Sequence, residues 1–397
     1  MRPSRMEKIF PPEIELLLCC ARTAPDLETV TRIRALVGAG LNWQAALAAA
    51  QRHCIIPLLY WQLKSVCPDH VPLAVLENLR ERFYRNNEHN LLLTKELIRL
   101  SSRFNSSGIP NLVYKGPLLA TAAFGNLALR QFLDLDFLVS ENDVPRAREV
   151  LTSLGYELQG PHNLDLETAF LRSRSEYSFA RTDGKCTLDL HWCILPEYFS
   201  VPLDFGRLWR HRKAIAFGGS EIMTFSPEDS VLFLCVHGAK HVWARIEWIA
   251  SLSELLQTHR ETLNWDFIMQ EAGRLRIERM VLLGLAVAYA LLQAPVADHV
   301  RRQAQTDPVM ESLYHQVVER ISDVDSENPG IAESILFHVK TREHFPDRIR
   351  YLFRLMTTPS GGDWALICLP KPLFPLYYLI HPFRFLAQYG LRAWRRS

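Results

Sequence analysis

QFLDLDFLV, residues 131–139, alternates with a period of two. Phe132, Asp134, Asp136 and Leu138 fall on one side, and Leu133, Leu135, Phe137 and Val139 on the other. The pattern predicts a strand with two carboxylates on one face. An apolar strand does not bury two like charges unpaired without a strong cost. A divalent cation removes that conflict, because Mg²⁺ is held by one or two carboxylates together with substrate phosphates. The triplet alone decides nothing, since Asp323-Val324-Asp325 repeats it beside Ser, Asn, Pro and Gly, in what reads as a solvated loop.

On either side of this stretch the chain keeps the character of an α/β layer. IPNLVYKG (109–116) reads as a short buried strand, and PLLATAAF (117–124) as a helix with Pro117 in its first turn. ENDVPRAREVLTSLGY (141–156) reads as an amphipathic helix closed by Gly155. SEYSFAR (175–181) and CTLDLHW (186–192) read as strands joined through the turn signal Thr182-Asp183-Gly184. Asp189, between Leu188 and Leu190, is expected on a neighbouring strand facing Asp134 and Asp136. Two carboxylates binding both ions and a third binding one is the arrangement that two-metal phosphoryl transfer uses. Lys115-Gly116, just before a helix N-terminus, offers backbone N–H groups and an ammonium to phosphate oxygens, and Arg130 adds charge for a triphosphate. Plainer readings stay open here: strand carboxylates that are exposed or paired with Arg130 and Lys115, and Lys115 as a snorkelling surface lysine.

The flanks read as helical. PEIELLLCCAR (12–22), NWQAALAAAQRH behind an Asn42 cap, and a long apolar stripe through Leu73, Leu76, Leu79 and Phe83, continued by Leu91, Leu92, Leu97 and Leu100, read as helical within 12–105. After residue 200 the chain is expected to be helical again. Ser226 caps one segment, LRIERMVLLGLAVAYALLQ (275–293) forms a core helix, and 331–357 forms another helical stretch. Lys+Arg 45 against Asp+Glu 43 gives a net charge of +2, which does not announce a nucleic-acid partner, so no stable DNA binding is expected. Eight cysteines without a CxxC pair fit mostly buried thiols in a reducing compartment. Glu13 and Glu15 interrupt the first apolar stretch, so no cleavable signal peptide is read and a cytoplasmic location is expected.

Taken in order, these residues resemble the polymerase-β-like nucleotidyltransferases, and more narrowly a bacterial family of uncharacterised nucleotidyltransferases. The resemblance rests on Lys115-Gly116, Arg130, Asp134 to Val139, Gly155-Tyr156 and Asp189 to Trp192. The run His237, Lys240-His241, Trp243, Arg245, Trp248 and the tail from Trp364 to Pro382 are similar to that family as well. It implies an α+β fold: a small mixed-sheet core over 108–200, a helical region over 1–107, a helical region over 201–358 and a Pro/aromatic/basic tail over 359–397. It further implies a Mg²⁺- or Mn²⁺-dependent enzyme that moves an NMP from an NTP to an acceptor hydroxyl or phosphate, on a small molecule, a peptide or protein, or an RNA end. Asp134, Asp136 and Asp189 would be the catalytic metal ligands, and Lys115, Gly116 and Arg130 the nucleotide-binding residues.

Two departures carry an alternative reading. Pro117 stands where the superfamily has a second Gly or a Ser, which removes one backbone N–H, and Ser251 stands where relatives often have Asp, which leaves that contact unfilled. The alternative is a catalytically inactive binding or scaffold protein of a membrane-associated biosynthetic system. His237, Lys240 and His241 are expected to face substrate rather than a metal, since no third ligand is suitably spaced. His191 is expected on the opposite face from Asp189 and not as a general base. The tail has Lys371, Arg384, Arg392, Arg395 and Arg396 and no acid after Asp363. It reads first as an apolar strap on the core, and second as a peripheral contact with the inner face of the membrane.

Overall fold

The computed structural model describes residues 10–159, 175–201, 203–323, 329–367 and 369–387. Helices α1 (Pro12–Cys20), α2 (Leu27–Gly38), α3 (Trp43–Arg52), α4 (Ile56–Val66) and α5 (Leu73–Ser106) come first. Then follow β1 (Asn111–Val113), α6 (Gly116–Phe124), β2 (Asp134–Val139), α7 (Val144–Ser153), β3 (Tyr156–Leu158), β4 (Glu176–Arg181) and β5 (Thr187–His191). After α8 (Phe205–His211) a hairpin forms from β6 (Lys213–Phe217) and β7 (Ser220–Thr224). The rest is helical: α9 (Pro227–Lys240), α10 (Ile246–Thr258), α11 (Trp265–Leu275), α12 (Glu278–Leu292), α13 (Asp298–Thr306), α14 (Met310–Ser322), α15 (Ile331–Lys340), α16 (Phe345–Thr357), α17 (Gly361–Leu366) and α18 (Tyr377–Phe385).

The fold is α+β, with a small mixed sheet flanked by helices. The hairpin β6–β7 adds two strands to the region after residue 200, whose sequence reads as helical. Its signal was present: Gly218-Gly219 takes φ +56° and +79°, the left-handed pair a two-residue hairpin turn needs. The chain divides into two compact units, each drawn from three stretches.

The sheet unit lies within 96–114, 133–226 and 331–397. Its five strands run in the order β1-β2-β5-β4-β3. β2 and β5 are parallel and the other neighbours antiparallel. Leu135, Phe137 and Val139 are fully buried, and the Phe137 ring meets Phe104 of α5 edge-on at 5.3 Å. Burying one such side chain contributes roughly 1.5–3 kcal/mol. The β4–β5 turn closes as its sequence predicts, with Gly184 at φ +68° and Asp183 accepting from Lys185 N at 3.1 Å. The tail packs in this unit through Tyr377 and His381, which are buried, and His381 Nδ1 lies 2.7 Å from Asp363 Oδ2. Arg384 pairs with the same carboxylate. Yet Leu373, Leu376, Leu379, Phe383 and Leu386, at spacings of three and four, are exposed. Tyr389, Arg392, Trp394, Arg395 and Arg396 lie outside the described residues, as do Val324 and Asp325.

The helical unit lies within 1–95, 115–132 and 227–330. Asn42 caps α3 by accepting from Ala45 N at 3.1 Å, as the sequence predicts. His53, fully buried after α3, accepts from Ile246 N through Nδ1 at 3.3 Å and so fixes the start of α10. Asn86 and Asn90 of α5 donate to the carbonyls of Leu127, Ala128 and Arg130, which holds the turn after α6. α12 is a core helix: Met280, Val281, Leu283 and Val287 are buried, and Arg279 pairs with Asp307 at 2.6 Å. No helix among the described residues is long and apolar enough to cross a membrane. The seven described cysteines are free thiols; four are buried, Cys19 and Cys54 are half-buried, and Cys193 is exposed.

Candidate functional site

In the sheet unit the parallel register sets Asp134 level with Thr187, Asp136 with Asp189, and Leu138 with His191. Paired strands alternate in step, so Asp134, Asp136, Asp189 and His191 share one face. Asp136, Asp189 and His191 come together there, each offering a ligand atom within 4.8 Å of the others. Asp134 is half-buried on the same face, one pleat away from Asp136, and lies outside that group of three.

The expectation that His191 lies on the opposite face from Asp189 is overturned. Two positions separate it from Asp189, so strand alternation returns it to the same face, and its Nε2 lies 3.0 Å from Asp136 Oδ1. Its Nδ1 is 3.1 Å from Glu176 Oε2, an ion-pair separation without good hydrogen-bond alignment. Glu176 is its cross-strand partner on β4. Burial opposes the imidazolium, but the Asp136 and Glu176 carboxylates outweigh it and lift the pKa to about 9.

Asp189 is half-buried opposite Ser178 of β4. Burial raises its pKa. The Ser178 hydrogen bond and His191 work against that rise, while Glu176 and Asp136 add to it. Tyr114 follows the Val113–Phe137 pair of β1 and β2, which brings it level with Asp136. Its ring stacks on Phe225 at 4.8 Å and meets His191 edge-on at 5.9 Å. Burial first, then the carboxylates of Asp136, Glu176, Asp189 and Asp134, hold its hydroxyl protonated.

Facing carboxylates in a low-dielectric setting are an electrostatic conflict that the His191 imidazolium relieves. A divalent cation at the same oxygens relieves it too. Carboxylate oxygens suit Mg²⁺, and an imidazole beside them also admits Mn²⁺. The donor set therefore fits a divalent cation.

The remaining predicted residues lie in the helical unit. Gly116 opens α6 at φ +54°, a conformation glycine adopts without steric cost, and Pro117 occupies the first turn. Lys115 is half-buried, with Nζ 5.6 Å from the Phe233 ring centroid. Arg130 Nε lies 2.8 Å from Glu247 Oε1 and donates to Ser251 Oγ at 3.3 Å, while Ser251 donates to Glu247 at 2.7 Å. Ser251 and Arg130 thus share the Glu247 carboxylate, one turn earlier on α10. His237, near the end of α9, and His241, just beyond it, lie with ring centroids 4.7 Å apart.

A family model described as uncharacterised nucleotidyltransferase matches residues 39–293. The chain belongs to that family. The matched part of this nucleotidyltransferase-family chain contains all five strands of the mixed sheet, the Asp136–Asp189–His191 group and the His237–His241 pair, while the tail likeness noted from sequence lies beyond it. No curated protein matches the chain. Sequence reasoning missed His191, Glu176, Tyr114 and Glu247. Strand period alone would have returned His191, whereas the others needed cross-strand or interhelical registers.

Proposed function

We propose that the chain is a divalent-metal-dependent nucleotidyltransferase that moves an NMP from an NTP to an acceptor hydroxyl or phosphate. The buried Asp136–Asp189–His191 group in a chain of this family carries the reading. Asp134, Asp136 and Asp189 would hold the cation, which when bound supplies positive charge against the triphosphate. His191, through Nε2, orients Asp136. Asp189, whose carboxyl is held above its ordinary pKa by burial, accepts the acceptor's proton. The acceptor oxygen forms a bond to the α-phosphorus as the bond to the bridging oxygen breaks, and pyrophosphate leaves with that electron pair. Lys115, Gly116 and Arg130 are proposed to contact the nucleotide, on the resemblance rather than on any distance to the metal group.

Calorimetric titration with the four NTPs and Mg²⁺, on wild type and Asp134→Ala/Asp136→Ala, tests this. Binding to wild type that the variant loses supports the site and identifies the donor. Equal binding to both removes the aspartates from the centre of the reaction. A folded wild type that binds no NTP favours the scaffold alternative.

The exposed row Leu373, Leu376, Leu379, Phe383 and Leu386, in a tail without acids after Asp363, supports peripheral membrane contact. Flotation with anionic vesicles is expected and should fall when Leu379 and Phe383 are changed to Ser; wild type that stays unbound refutes this contact.

A further inference from the structure

The helical unit holds a second group of chemistry-bearing side chains that the metal group does not use. His237 near the end of α9 and His241 just beyond it sit one turn apart, and Trp248 of α10 closes on both, at 5.6 and 5.1 Å between ring centroids. Phe233, one turn before His237, lies 5.4 Å from it, and Lys115 Nζ lies over the Phe233 ring. The Arg245 guanidinium stands 5.4 Å from the Trp248 ring. Phe233 is buried, but His237, His241, Trp248 and Lys115 are half-buried and keep part of their surface at water.

Charge in this group is biased to one sign. Burial leads in keeping His237 neutral, followed by Lys115, His241, Lys240 and Arg130, all cationic influences. The charged and titratable groups around this cluster are Lys115 just before α6, Lys240 at the end of α9 and His241 just after it, Arg130 ahead of β2, Arg245 just before α10 and Glu247 on α10. Glu247 is already engaged by Arg130 and Ser251.

The backbone is bent to make the group. Val242 and Trp243, between α9 and α10, both take left-handed φ, +56° and +51°. Such geometry costs roughly 1–3 kcal/mol per residue and tends to occur where function demands it. Trp243 is fully buried over Gly238 and Gly284, where a Cβ would come within 2.5 and 2.8 Å of its neighbours. That wedge turns the chain back so that Trp248 meets the two imidazoles.

We propose that His237, His241 and Trp248, with Lys115 and Lys240, form a subsite for the phosphate groups of a ligand. The ammonium groups supply charge, and the imidazoles supply N–H donors to the anion. Assigning that ligand to the NTP donor rests on the proposed function; the anion chemistry does not.

The test is NMR of the full chain with ¹³C-labelled histidine, titrated with inorganic tripolyphosphate in EDTA. The His237 and His241 ring signals, assigned with His237→Gln and His241→Gln, are expected to shift along one saturable curve. Lys115→Met should weaken binding about ten-fold. Asp134→Asn/Asp136→Asn should bind at least as well as wild type, so a failure of the metal reading and a failure of this one are separable. Binding should tighten as pH falls, because the bound anion favours on His237 the proton that its surroundings disfavour. Competition by ATP assigns the donor as ligand, and competition by glucose 1-phosphate alone assigns a phosphorylated acceptor. Unmoved His237 and His241 signals at saturation, or unchanged affinity in Lys115→Met, would overturn the proposal.

Discussion

Asp136→Asn is expected to cut pyrophosphate release from the preferred NTP by about a thousand-fold, a loss of about 4 kcal/mol of transition-state stabilisation. Asparagine keeps the shape of a side chain that is only 4% exposed, but it removes the charge on which the site depends. The carboxylate is shared between two roles: its oxygen lies with the Asp189 carboxylate oxygen and the His191 ring nitrogen in the candidate metal group, and its Oδ1 accepts from His191 Nε2 at 3.0 Å. Losing it leaves Asp189 as the one carboxylate of the three-residue group. A steady-state pyrophosphate assay gives the rate, and a thermal melt of the same preparation separates loss of the site from loss of the fold. Unchanged release by a folded variant would remove Asp136 from the reaction.

Glu247→Ala is expected to destabilise the protein by about 3–5 kcal/mol, because it leaves the Arg130 guanidinium buried without its counter-charge. The two side chains are 10% and 7% exposed, so water cannot replace the lost partner cheaply. Ser251 also loses its acceptor. Replacing both charges, Arg130→Met with Glu247→Leu, should recover most of that loss, since the uncompensated charge and not the absent pair is what costs. Urea unfolding midpoints of the single and double variants measure both effects. A Glu247→Ala midpoint within about 1 kcal/mol of wild type would show that the pair is screened as surface pairs are. The result bears on the departure at Ser251, because a strong pair there means the position has an intact polar network built from a different residue.

Much of this was legible in the chain. The period of two in residues 131–139 is enough to predict β2 and to put Asp134 and Asp136 on one face, since alternation follows from strand geometry alone. Asn42 as a cap, Gly155 closing α7 and Thr182-Asp183-Gly184 as a turn are local effects of side-chain hydrogen bonding and glycine backbone freedom. The Gly218-Gly219 hairpin was equally local and was overlooked. β3 was not visible, because its three residues, Tyr156-Glu157-Leu158, show neither a period nor the apolar run that marks β1.

What the sequence by itself determined, then, is which residues can be strand or helix and which acids lie on a strand. Tertiary structure decided which of them meet. The register that pairs Asp136 with Asp189 joins strands about fifty residues apart and depends on packing both strand faces, not on either strand's own pattern. The Arg130–Glu247 pair and the rings of His237, His241 and Trp248 depend on how α6, α9 and α10 pack and on a left-handed turn at Val242–Trp243. Propensity in a β-branched or bulky residue argues against such a turn, so only the surrounding packing can impose it.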